Sequence, residues 1–202
     1  MPKFWPIIVA AAVALFLMNA ALNAGGEDFE RWQLASRWTA RAGFPFFLIA
    51  FIASSLVVLR PGQISRSLMR NRKWWGLAFA AAHTVHLYAL LKFINASPEE
   101  MNLLGLLPGA AIYVVIYAMA ATSWPWAYKA LGKNWKRLHK TGMYLIWAVF
   151  TLAYIGKSMD PELRQAGGIL LMLSIGGLAL RIMAWRKQRA TGQAAKAAST
   201  DA

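Results

Sequence analysis

Six long apolar stretches, separated by short polar segments, dominate this sequence. A helix that spans a bilayer needs about 20 mainly apolar residues, with a tolerance of about 17–25. In a chain of 202 residues, six such stretches leave no room for a separate catalytic domain. The sequence therefore predicts an all-α integral membrane bundle of six transmembrane helices, a single domain over residues 1–187. The predicted spans are Phe4–Leu22, Gly43–Leu59, Trp74–Leu91, Leu103–Trp126, Leu138–Ile155 and Ala166–Trp185.

The charged residues predict the orientation of these spans. Cytoplasmic loops of membrane proteins carry an excess of Lys and Arg. With both termini inside, 16 of the 22 basic residues fall on the inner side and seven of the eight acidic residues on the outer side. This asymmetry predicts an N-in/C-in multi-pass protein of a bacterial cytoplasmic membrane, with the lipid bilayer as its surroundings. A nucleic-acid partner is excluded, because a soluble basic binder would not be 58% hydrophobic.

Three further segments carry weaker signals. The first span begins after Lys3 and precedes small residues, as a secretory signal peptide does, but it is longer than an h-region of about 7–15 residues. We therefore expect an uncleaved helix. The segment Glu27–Ala42 mixes aromatic rings with charges, which predicts an interfacial helix on the outer face. Residues 188–202 are small and polar, which predicts a disordered basic cytoplasmic tail.

Histidine stands out among the few polar residues inside the predicted spans. No Asp or Glu lies in a span, which argues against a carboxylate-based relay. The absence of Cys excludes iron–sulfur clusters and c-type haem attachment. All three histidines, His83, His86 and His139, lie in spans, where an ionisable residue is a candidate for function. The alternative is that they are neutral side chains hydrogen-bonded across helices.

The spacing of the histidines is compatible with haem. His83 and His86 share a face of the third span and differ in height by about 4.5 Å. Counted from the inner end, they lie about 13 Å and 18 Å deep, whereas His139 lies in the first turn of the fifth span. Two helices that present imidazoles toward each other can hold a b-type haem. The small residues of Gly76–Ala82 and Gly142 would give a macrocycle room, although alone they indicate only close helix packing.

Basic side chains crowd the inner ends of the third and fifth spans. They act first as topology determinants, and one or two of them could in addition bind haem propionates. They are Arg70, Arg72, Lys73, Lys136 and Arg137.

Two blocks of sequence have the spacing of a known family. Arg72–Phe79 reads RKWWGLAF, with His86 ten residues after Gly76. The second block, which ends at His139, has the pattern TS-x7-LG-x2-W-x2-LH. Together they resemble the ferric-reductase-like transmembrane domain family, and within it the haem-binding membrane subunits of bacterial methionine sulfoxide reductase systems.

This resemblance implies one or two b haems between the third and fifth helices, and it places His86 and His139 at haem-ligand positions. Those subunits carry another histidine thirteen residues beyond the LH motif, where this chain has Leu152, which cannot ligate iron. His83 is, conversely, an addition to the pattern. We therefore expect one haem b, with His139 and either His83 or His86 as axial ligands. A second haem lacks an obvious ligand on the fifth helix.

The expected function is that of a b-type cytochrome membrane subunit. It would transfer electrons from quinol, or from a reduced flavin or flavoprotein, to an extracytoplasmic acceptor or a periplasmic partner reductase. Quinone and FMN are accordingly further candidate cofactors. Whether the chain is itself a ferric-reductase-like oxidoreductase or an electron-transfer subunit of one stays open, and no catalytic residue is assigned. The alternative is a non-redox membrane protein, either a transporter or an anchor or quinone-binding module, with structural histidines.

Overall fold

The computed structural model describes residues 3–98 and 103–198, with the side chains of 103–105 and 194–198 left out. No strand occurs within these ranges, which confirms the all-α prediction. Glu99, Glu100 and Asp201, which entered the charge count, lie outside the described residues. The helices are α1 Trp5–Leu22, α2 Asp28–Leu59, α3 Gln63–Arg70, α4 Arg72–Asn95, α5 Leu103–Ala121, α6 Pro125–Leu131, α7 Lys133–Met159 and α8 Arg164–Ala198.

Four of the described helices are long and apolar enough to cross a membrane, and a bent pair makes a fifth if its halves count as one span. The four are α1, α2, α4 and α8. The bent pair shows that the predicted span Leu103–Trp126 is too long, because α5 ends at Ala121 and α6 turns away by 107°. Pro125 explains the break, since a residue that precedes proline avoids the helical region. α7, which contains the predicted fifth span, is not among the four, so six spans stay a prediction.

Two helices run through positions where the sequence predicted boundaries. The predicted interfacial segment Glu27–Ala42 and the second span together form α2, a single helix of 32 residues with Pro45 inside it. At about 48 Å, α2 is longer than the hydrocarbon core of about 30 Å, so it can include both an apolar half and a charged half. α8 likewise continues past Gln188 to Ala198, where a disordered tail was predicted. Alanine-rich sequence with strong helix propensity explains this continuation, and residues 199–202 lie outside the described part.

The chain forms two compact units, and the first contains all three histidines. It comprises Met1–Phe47 and Lys73–Ile146. In this unit α1, α2 and α4 pack through buried alanines, whose small side chains let helix backbones approach closely. The buried alanines are Ala10, Ala14, Ala42, Ala78 and Ala82. The alanines of the run before His83 that belong to this cluster therefore serve close helix packing, which is the plainer of the two interpretations of that run.

The second unit comprises Leu48–Arg72 and Trp147–Ala202. Its core contains a stacked pair of rings, Phe51 and Trp147, with centroids 6.5 Å apart. The indole N–H of Trp147 donates to the carbonyl of Ser174 at 3.0 Å, and the buried hydroxyls of Thr151 and Ser174 are 2.7 Å apart. Hydrogen bonds between helices of this kind hold α7 to α8 where apolar packing alone is weakly specific.

Candidate functional site

Two of the three predicted ligands lie side by side on α4. The ring centroids of His83 and His86 are 5.4 Å apart in an edge-to-face arrangement. His83 is buried at 6% exposure, with the ring of Phe79 4.2 Å away. Tyr113 of α5 lies 6.5 Å from His83 and 6.3 Å from His86. The two imidazoles therefore share one face of α4, as the i, i+3 spacing predicts, and this face meets α5.

Gly43 of α2 provides the space that the His83 ring occupies. A Cβ atom at this position would overlap Nδ1 and Cε1 of the imidazole and would lie 3.6 Å from the ring of Phe79. Because Phe79 packs against the same ring, the imidazole has little freedom to move aside. The close approach of α2 to α4 at this level therefore requires glycine at position 43.

The ring orientation of His86 is fixed by Thr39 of α2. The Thr39 hydroxyl donates to the carbonyl of Ala35 at 2.7 Å, and its oxygen lies 3.2 Å from Nδ1 of His86. A threonine hydroxyl has one proton. With that proton on the Ala35 carbonyl, Nδ1 of His86 acts as the donor in the second contact. With Nδ1 as the donor, the lone pair of neutral His86 is on Nε2, the nitrogen through which this ring could bind a metal.

His139 lies in a separate corner, and Thr122 orients it in the opposite sense. The Thr122 hydroxyl donates to the carbonyl of Ala118 at 2.6 Å, and its oxygen lies 3.1 Å from Nε2 of His139. With the Thr122 proton on the Ala118 carbonyl, Nε2 of His139 acts as the donor and Nδ1 has the lone pair. Trp135, one turn earlier on α7, stacks on the imidazole with centroids 4.1 Å apart.

The spacing of the residues in the second sequence block has a physical explanation in this corner. The indole N–H of Trp135 donates to the carbonyl of Thr122 at 2.7 Å, and Ser123 donates to the carbonyl of Met119 at 2.7 Å. Gly132 has φ +50°, a conformation that L side chains rarely adopt, at the turn between α6 and α7. The motif residues therefore close the α5–α6–α7 connection around His139.

The two histidine positions lie at different heights in the first unit. Tyr113 of α5 lies beside His83 and His86, and Thr122, the residue after the end of α5, lies beside His139. These two residues are nine positions apart, which is about 13 Å at the rise of a helix. In the described part of the chain, no group of three or more His, Asp or Glu side chains could hold a metal ion. The structure thus brings His83 and His86 together and leaves His139 apart from them.

Two observations show whether the residues around His83 and His86 suit haem as a ligand. First, imidazoles in apolar surroundings are the donors that b-type haem iron takes, and His83 and His86 supply two such rings beside Phe79 and Tyr113. Second, the buried hydroxyl oxygen of Tyr113 has no hydrogen-bond partner within the described residues. Such an atom is costly to leave unsatisfied, and a polar group of a bound ligand beside the two imidazoles would satisfy it. The donor chemistry fits haem. For His139 to ligate through Nε2, its bond to Thr122 must open.

The basic side chains predicted near haem propionates have varied surroundings. Lys73 lies 3.7 Å from the ring centroid of Trp124 and 5.0 Å from that of Trp74, so its ammonium is held by aromatic faces at the inner end of α4. Arg72 instead donates to a backbone carbonyl of the second unit. The other three, Arg70, Lys136 and Arg137, are exposed.

Several residues of this site were not predicted from the sequence. Thr39 and Gly43 belong to the segment interpreted as a weak interfacial helix or a span boundary, and Tyr113 carried no signal among the apolar residues of α5. Thr39 and His86 are 47 residues apart, and no pattern in one sequence pairs positions at that separation. Thr122 and Trp135 did appear in the quoted motif, without the hydrogen-bonding roles that they have here.

These features define a class: an all-helical protein with several helices able to cross a membrane and with one buried and two half-buried histidines. Sequence comparison identifies its relatives. The chain is 26% identical over 163 residues to the "Protein-methionine-sulfoxide reductase heme-binding subunit MsrQ" of Yersinia pseudotuberculosis serotype O:1b (strain IP 31758), which covers 73% of this chain and 78% of that protein. The same protein of Yersinia pestis (strain Pestoides F) is also 26% identical, over 73% of this chain and 77% of its own length.

The resemblance inferred from the two sequence blocks is thereby confirmed: the chain is similar to proteins named as the haem-binding subunit MsrQ. No family model matches the chain. No solved structure matches it.

Proposed function

We propose that this chain is a multi-pass subunit of a bacterial cytoplasmic membrane that holds haem b on histidine side chains and transfers electrons. The observation that carries the proposal is the His83–His86 pair on α4, in which His83 is buried and Thr39 orients the ring of His86. The similarity to MsrQ haem-binding subunits supports the same cofactor. When bound, haem supplies a one-electron iron couple, which neither the helices nor their side chains provide.

Each residue of the site has a defined task in this proposal. Two of His83, His86 and His139 would hold the iron. Thr39 fixes the tautomer of His86, which keeps a ligating nitrogen directed away from α2. Tyr113 donates its hydroxyl proton to a polar group of the ligand. The apolar side chains around His83 exclude water, and burial of this kind is one of the features that set a haem potential.

The proposed topology has six spans with both termini in the cytoplasm. Electrons enter from quinol or from a reduced flavin or flavoprotein, and they leave to an extracytoplasmic acceptor or a periplasmic partner reductase. The one-sided distribution of Lys and Arg supports this orientation. Because the chain contains no Cys, single-cysteine variants can test it without background. With a maleimide that does not cross membranes, Ser97→Cys should be labelled in intact spheroplasts and Ser67→Cys only after lysis. The reverse pattern would invert the topology.

A second candidate function is favoured by the same hydrogen bonds. Thr39–His86 joins α2 to α4 and Thr122–His139 joins α5 to α7, so both histidines could act purely as polar contacts between helices in a non-redox membrane protein. A third arrangement, a quinone-binding module or anchor with a structural haem, predicts that haem does not exchange electrons with an added quinone. Rapid oxidation of reduced haem by quinone would argue against that arrangement.

The ligand assignment is tested by the haem-to-protein ratio of purified variants. His83→Ala, His86→Ala and His139→Ala are compared side by side, with Thr151→Val as a control that alters a buried polar contact in the second unit. Loss of haem in His139→Ala and in one of the other two would identify the axial pair. If His139→Ala retains haem at full occupancy, His139 is not a ligand. If all three variants retain it, the haem site does not lie at these residues.

A further inference from the structure

Two arginines of the second unit reach the same short stretch of α2. Arg72, the first residue of α4, donates from Nε to the carbonyl of Ala50 at 2.8 Å. Arg181 of α8 donates from Nη1 to the carbonyl of Phe51 at 2.6 Å. These carbonyls are consecutive along α2, about 1.5 Å apart in height. Each carbonyl oxygen has a second lone pair beyond its own helical hydrogen bond. The two guanidinium groups therefore bond to α2 at nearly the same height.

The two arginines carry like charges close together, and acidic residues lie far from both along the sequence. Each guanidinium lies within the electrostatic field of the other. No Asp or Glu occurs between Glu30 and Glu99, or between Glu162 and Asp201. The backbone carbonyls of α2 and the ring of Phe51, 4.5 Å from the Arg181 guanidinium carbon, contribute partial negative charge. Two adjacent cations in apolar surroundings are therefore poised to bind an anion.

Arg72 has the donors that such an anion needs. Within the described residues its Nε makes the bond to Ala50, and its two terminal NH₂ groups make none. The side chain is half-buried rather than enclosed. A guanidinium presents its N–H groups as a planar fork that matches two oxygens of a phosphate.

The position of the pair suggests where the anion comes from. Trp185, half-exposed, lies four residues beyond Arg181 on α8, about 6 Å along the axis. Tryptophan side chains are enriched at the level of the lipid headgroups. The arginines are thus about one turn from that level, on the hydrocarbon side, where the phosphate of a lipid can reach and a free ion is poorly solvated. Basic sites between transmembrane helices bind anionic lipid headgroups in this way.

We propose that Arg72 and Arg181 form a binding site for the phosphate group of an anionic membrane lipid. The site tightens the contacts of α4 and α8 with α2 by relieving the repulsion between the two cations. It depends on insertion of the chain in a bilayer and not on haem, so it can fail or hold independently of the proposed cofactor.

The test measures lipid retention by native mass spectrometry of the full-length protein in mixtures of phosphatidylcholine and phosphatidylglycerol. The wild type should prefer phosphatidylglycerol. The double variant Arg72→Gln/Arg181→Gln should lose this preference by about 30-fold, as expected for two cations that act on an anionic lipid. The control Arg66→Gln/Arg186→Gln removes the same charge from exposed positions and should keep the preference.

Two further measurements keep the test decisive. If the double variant fails to fold, Arg72→Lys retains the charge and loses the planar fork, and it should bind the lipid more weakly than the wild type. Inorganic phosphate is added to the wild type in phosphatidylcholine alone. An equal stabilisation by free phosphate would assign the site to a soluble anion and overturn the lipid proposal. Equal retention of both lipids by the wild type, or equal losses in the control and the double variant, would overturn it as well.

Discussion

Replacing Gly43 with alanine tests the packing of the histidine pair most sharply. The added methyl would overlap the His83 imidazole, and Phe79, 4.2 Å from that ring, blocks its retreat. Overpacking of this kind costs about 1–3 kcal/mol. The same substitution removes a flexible glycine from the interior of a helix, which stabilises by about 0.5–1 kcal/mol. The net effect of Gly43→Ala is therefore a destabilisation of up to about 2.5 kcal/mol.

Gly176→Ala is the matched control, because it lies inside α8 and a Cβ there meets no atom within 4 Å. The helix-propensity gain is common to both variants, so the difference between their free energies of unfolding isolates the overlap with His83. We expect Gly43→Ala to be less stable than Gly176→Ala by about 1–3 kcal/mol, measured by reversible unfolding in mixed micelles. The double variant Gly43→Ala/His83→Ala should recover most of this difference, since the overlapping ring is gone. Equal stability of the two single variants would refute the close approach of α2 to His83.

Two other substitutions test the remaining parts of the site. Thr39→Val removes the hydrogen bond that orients His86 and should weaken haem binding by about 10–100-fold in a titration of the apoprotein. The control Thr151→Val should leave the affinity for haem unchanged. Equal affinities in the wild type and both variants would count against an orienting role for Thr39. Gly132→Ala forces an L side chain into a conformation with φ +50° and should destabilise the protein by about 1 kcal/mol. Gly109→Ala, in open space within α5, should not destabilise the protein. Equal free energies of unfolding for the two variants would contradict this prediction.

The helices could be predicted from hydropathy because apolar runs of span length leave few alternatives. α1 and α4 begin within two residues of the predicted Phe4 and Trp74. The structure departs from the prediction where local helix propensity, and not hydropathy, decides where a helix begins or ends. α2 passes through the charged segment before Gly43 without a break, and α5 ends at Ala121 although the apolar composition continues.

The candidate site could be predicted only as a set of side chains. The burial of His83 and its shared face with His86 follow from their spacing on an apolar helix, and the corner around His139 follows a local motif. The partners of the first pair are set by helix packing at long separation in the chain. Gly43 and Thr39 contact α4 because of the close packing of buried alanines, and no local pattern specifies which turns of α2 and α4 meet.

The reduced-minus-oxidised visible spectrum of the purified wild type tests most directly whether this chain is a haem protein of the membrane. The protein is expressed in cells supplied with haem and extracted in mild detergent. We predict a b-type band in the spectrum of the wild type and its loss from the variant that lacks all three histidines. A wild-type protein that is folded and lipid-bound but shows no such band would contradict the account and favour the histidines as hydrogen-bonded contacts between helices.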